Sequence, residues 1–199
     1  MIRVILGSVA AAIAMFVIGF IFFGPLGLTN LSTATVSDIQ AAAVQQSLSA
    51  NLPRTGTYVV PSAESSAAQT VMFGQGPIAT IHYNTSGFAA MDPASLVQGL
   101  VFNFIIALLF GLALLGIEGR VADLRTRART VSIVAVATVA FTHLGEPIYM
   151  HHDWPHFIYL FVADSLMLIA AGTILAWFLP TRAVEAPVPV VTEEAPAEV

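Results

Sequence analysis

Residues 142–156, THLGEPIYMHHDWPH, hold four of the five histidines in the chain, together with Glu146, Asp153 and two prolines, between two apolar runs. Imidazoles and carboxylates at this density could do two kinds of chemistry. His151, His152, Asp153 and His156 could offer nitrogen and oxygen ligands to a divalent metal, zinc or copper. Their order does not form a defined motif such as H-E-x-x-H. Histidine, tryptophan and tyrosine are also at home at a membrane interface, so His151, His152 and Trp154 with Tyr149 or Tyr159 equally suit an aromatic belt.

The second chemistry is proton exchange. His143 and Glu146 are three residues apart, neighbours on one helical face. Asp164 lies eight residues beyond His156, roughly 12 Å along a helix, and His143 lies at a similar depth, roughly 13 Å below His152. Asn103 falls near the same level, roughly 15 Å from Pro93, with Gln98 above it. These five side chains are expected to form a polar intramembrane column, with Asp164 paired to His143. Histidine titrates near neutrality and a buried acid tends to keep its proton, so such a column could carry protons. The competing expectation is a structural cluster that sets helix register, each interhelical hydrogen bond contributing about 0.6 kcal/mol. Pro147 has no N–H to offer the carbonyl of His143, so a kink and a free carbonyl are expected there.

The elements that must position these groups are membrane spans. Of the 199 residues, 57% are hydrophobic and only 10% charged, and the mean hydropathy is +0.83, far from soluble norms. Four apolar segments are each long enough, at about 20 residues, to cross a hydrocarbon core. The expected organisation is transmembrane helix 1 over residues 1–26, a cap over 27–92, helix 2 over 93–118, an arginine-rich loop over 119–130, helix 3 over 131–150, a histidine-rich turn over 151–156, helix 4 over 157–180 and a disordered acidic tail over 181–199. The fold class is an all-α integral membrane protein, a four-transmembrane-helix bundle with a small extracytoplasmic α+β cap between helices 1 and 2.

The first apolar run exceeds the usual apolar stretch of a secretory signal and lacks a convincing cleavage site, so it reads as an uncleaved signal anchor. Gly7 and Ala11 share a spacing suited to close helix packing. Within the cap, residues 36–52 read as a helix with Ser37 or Asp38 as cap and Pro53 as stop, and residues 55–60 and 77–84 read as the strands of a hairpin. His82, in the second strand, reads as a half-exposed strand histidine. Fewer than 70 residues make a thin core, so the cap is expected to lean on the membrane helices or on a partner.

Orientation follows from arginine, because the chain contains no lysine. Arg120, Arg125, Arg127 and Arg129 put the loop between helices 2 and 3 in the cytoplasm. Arg3 and Arg182 then also lie inside, both termini are cytoplasmic, and the location is a bacterial inner membrane. A net charge of −5 and scattered arginines leave no nucleic-acid footprint. The absence of cysteine excludes disulfides, thiolate metal sites and iron–sulfur clusters. The runs GFIFFGPLG, HLGEPIY and HHDW give a general resemblance to small four-helix bacterial inner-membrane proteins, which implies no activity and assigns no residue.

With no nucleophile or phosphate-binding motif, the leading expectation is a noncatalytic accessory protein or complex subunit, partnered by the lipid bilayer and by another membrane protein or a second copy. The alternatives are a metal- or cofactor-binding membrane protein using the histidine-rich turn, and a small proton-coupled transporter.

Overall fold

The computed structural model describes residues 1–117 and 123–179. The expectations for Arg120, Arg182 and the acidic tail over 181–199 lie outside the described residues. The chain forms two compact units, residues 34–93 and the remainder.

Four helices build the larger unit: α1 (Ile2–Phe23), α4 (Pro93–Ile117), α5 (Leu124–Met150) and α6 (Trp154–Phe178). Each is long and apolar enough to cross a membrane. Helix α6 is central, packed against α5 on one side and α1 on the other.

Close approach comes from small residues. On α1 the buried positions are Val4, Gly7, Ser8, Ala11, Ala12 and Met15, a stripe at helical spacing. A Cβ on Gly7 would sit 3.0 Å from Cβ of Phe178, and one on Gly19 would sit 3.3 Å from the Met167 methyl. Tyr159 donates its hydroxyl proton to the Phe22 carbonyl, so the contacts run antiparallel along α1 and α6.

Helix α5 buries Arg127, Val131, Ala135, Val139 and Pro147, a stripe of period four into which His143 also falls. Against it α6 presents Gly172, where an added Cβ would lie 1.9 Å from Cγ1 of Val131. Helix α4 joins through Ala107 and Leu114, members of the common core, and through Gly111, whose Cβ would lie 2.9 Å from Cγ1 of Val4.

Two helix boundaries differ from the sequence reading. Helix α5 starts at Leu124 rather than residue 131, because the Asp123 carboxylate accepts the Thr126 N–H at 2.8 Å and caps it. Arg125, Arg127 and Arg129 are therefore helical, not loop. Arg127 is fully buried and donates from Nη1 to the Leu179 carbonyl at 3.3 Å. Helix α6 starts at Trp154 rather than residue 157, with Asp153 as cap and Pro155 in its first turn. The turn shortens to His151–Asp153, and His156 belongs to the helix.

In the smaller unit, α2 (Asp38–Asn51) starts with a capping box between Ser37 and Gln40. Strands β1 (Gly56–Val60) and β2 (Ala79–Tyr83) pair antiparallel, with Thr57 opposite His82. They are not a simple hairpin. A further helix, α3 (Ala67–Gln75), connects them, capped by Ser66 accepting the Gln69 N–H and ended at Gly76, which takes φ +67°. His82 is exposed, with Nδ1 3.1 Å from the Thr57 hydroxyl. No residue of this unit is fully buried.

Candidate functional site

Two antiparallel helices bring together the pair expected from depth along the spans. His143 stands on the buried stripe of α5, and Asp164 stands on α6, ten residues in from Trp154 and so roughly 15 Å from its start. Nε2 of His143 lies 2.7 Å from Oδ2 of Asp164. Their side chains are 16% and 35% exposed respectively, so the imidazole sits in the packed face while the carboxylate opens toward the bundle surface. A charged group at mid-bilayer costs about 2.5–3.5 kcal/mol on insertion scales. An imidazolium beside the carboxylate makes the pair neutral as a unit, which lowers that cost.

One turn nearer the end of α5, Glu146 meets a second imidazole. Its Oε2 lies 3.3 Å from Nδ1 of His152, with side-chain exposures of 43% for Glu146 and 28% for His152. The approach is out of line for a hydrogen bond, and Nδ1 of His152 has no hydrogen-bond partner. The contact is thus electrostatic only. His152 is held otherwise, its ring stacked on Phe157 at 5.4 Å and 14°.

Two further expected column members lie on α4 and make no hydrogen bond to the pair. Gln98 is exposed and Asn103 half-buried on α4, which touches the rest of the unit mainly near Ala107, Gly111 and Leu114.

The turn does not assemble a metal centre. Among the described residues, no group of three or more histidine, aspartate or glutamate side chains is arranged to hold a metal ion. The local folding explains why. Asp153 spends Oδ2 on the His156 N–H at 3.2 Å as helix cap. His151 takes φ +55° to end α5 and is exposed. His152 turns toward Glu146, and His156 packs its ring edge-on against Phe157 at 5.4 Å. Neighbours in sequence have been given different structural tasks.

Sequence reasoning treated Arg127 as a topology charge and missed its burial. The available signal was the period-four stripe from 127 to 147, legible only once the helix is known to begin at Leu124. The tie between Tyr159 and Phe22 left no comparable trace.

The four long apolar helices define the chain as a multi-pass α-helical membrane protein. Comparison with protein-family models, with curated proteins and with solved structures finds no match.

Proposed function

We propose that this chain is a multi-pass protein of a bacterial inner membrane, with both termini cytoplasmic and the α+β unit on the opposite side, serving as a noncatalytic subunit or accessory protein. What it contributes is an intramembrane site that takes up and releases a proton at His143 and Asp164. The observation that carries this reading is the 2.7 Å contact between Nε2 and Oδ2, made by residues of two different apolar helices. When His143 is neutral the pair has one negative charge in an apolar surround, and a single proton removes it.

The subunit role draws support from what the bundle leaves uncovered. Asp164 retains 35% side-chain exposure, and Gln98 on α4 is exposed. Polar groups in spans face protein or water rather than lipid. A polar surface from another membrane protein or a second copy meets that need.

Proton uptake by the full chain in lipid nanodiscs, counted over a pH titration against the His143→Ala/Asp164→Asn double variant, tests the site. The variant is expected to take up at least one proton fewer per chain, and equal uptake would remove the proposal. Reporter fusions at residue 75 test the orientation, which a cytoplasmic signal there would reverse.

A further inference from the structure

The two carboxylates of the column are held differently. Asp164 is fixed, because His143 bonds it at 2.7 Å. Glu146 has no hydrogen bond among the described residues; it only approaches His152 at 3.3 Å, out of line. Both imidazoles beside it are constrained, His143 by Asp164 and His152 by stacking on Phe157. The one unanchored group in the series sits between two anchored ones. Resting on the proton-site reading above, we propose that Glu146 is a swinging proton carrier between the imidazoles of His152 and His143, loading and unloading the His143–Asp164 pair.

The reach is set by helix geometry. Residues three apart have Cβ atoms about 5–6 Å from one another, within the span of a glutamate side chain. Glu146 borders a surface concavity of about 510 Å³, also lined by Phe141, Gly145 and Tyr149. Neither imidazole lines that concavity, so the path from His152 to His143 rests on the helical spacing of Glu146 and His143.

The proton steps balance. In the outer position the imidazolium of His152 gives its Nδ1 proton to Oε2 of Glu146, leaving a neutral imidazole and a neutral carboxylic acid. Glu146 then turns to His143, whose Nε2 faces Asp164 and whose Nδ1 is the nitrogen left to accept. The O–H bond breaks, an N–H bond forms, and the pair becomes imidazolium and carboxylate while Glu146 returns as a carboxylate. Release runs through the same steps backwards. The group that moves is uncharged on the loaded stroke, and the carboxylate moves only on the return.

The titratable side chains around this route are few. Besides Glu146, on α5 they are His143 and Tyr149, in the turn His151, His152 and Asp153, and on α6 His156, Tyr159 and Asp164. Tyr159 is already bonded to the Phe22 carbonyl, and His156 lies edge-on to Phe157. Neither α4 nor α1 beyond Arg3 has a titratable side chain. The other carboxylate of the turn, Asp153, accepts the His156 N–H at 3.2 Å as helix cap.

The test is the rate at which the His143 ring N–H exchanges with deuterium, read by nitrogen NMR of histidine-labelled full-length protein in lipid nanodiscs. Glu146→Gln keeps size and polarity but cannot carry a proton. It is expected to slow the exchange by on the order of tenfold or more while leaving the His143 resonance and its dependence on Asp164 in place. Glu146→Asp, which keeps an acid on a shorter stem, should recover part of the rate and guards against a misfolded glutamine variant. Exchange at the wild-type rate in Glu146→Gln would overturn the carrier role and leave the proton site standing. A wild-type His143 resonance that neither titrates nor exchanges would overturn the proton site itself.

Discussion

Gly172 and Val131 set the separation of the two helices that bear the polar pair. A Cβ on Gly172 would fall 1.9 Å from Cγ1 of Val131, so α5 and α6 approach at a distance only glycine permits. The same interface, further along, closes His143 onto Asp164.

Gly172→Ala should therefore force the helices apart and destabilise the bundle by about 1–3 kcal/mol, the usual cost of overpacking. Val131→Ala in the same chain should recover part of the loss. Unfolding in mixed lipid–detergent micelles measures both, and an unaltered single variant would show that the interface can yield.

Removing one partner of the polar pair should cost more than removing both. His143→Ala leaves the Asp164 carboxylate without its donor, with an expected loss of about 1–3 kcal/mol. Asp164→Asn added to it relieves the stranded charge. A double-mutant cycle with no coupling between the two positions would contradict the contact.

Asp123 predicts a pH response confined to the start of α5. Its side-chain hydrogen bond with Thr126, joined by the Thr126 backbone N–H, lowers its pKa below the ordinary 3.8. The carboxylate's contribution to the helix start is therefore complete above that ordinary value and fades as pH falls through the lower folded-state value. Protection of the Thr126 amide, measured against its intrinsic exchange rate, should fall on acidification in that window, and Asp123→Ala should abolish the dependence.

Residues 34–93 have no fully buried side chain, and a unit of this size without a core is not expected to be stable alone. Expressed by itself, the segment should unfold without a cooperative thermal transition. A sharp transition by circular dichroism would show that the β1–β2 pairing and the capped helices suffice.

Hydropathy by itself determined the four apolar helices, since about 20 apolar residues leave few other structures for the backbone in lipid. Local capping chemistry was legible too: Ser37 ahead of α2, and Pro93 at the start of α4. Depth counting put His143 and Asp164 at one level because rise per residue is constant. What sequence did not determine was which way each helix faces. In a soluble protein the apolar stripe marks the inward face, but here lipid and interior are equally apolar, and inward faces are chosen by close packing of small residues. Only the tertiary structure therefore decided that α6 is central, that Gly172 admits Val131, and that Arg127 is buried. It also decided that the histidines of the turn disperse to a cap, a stack and a carboxylate contact instead of converging on an ion, whereas the pairing of Asp164 with His143 was already expected from depth.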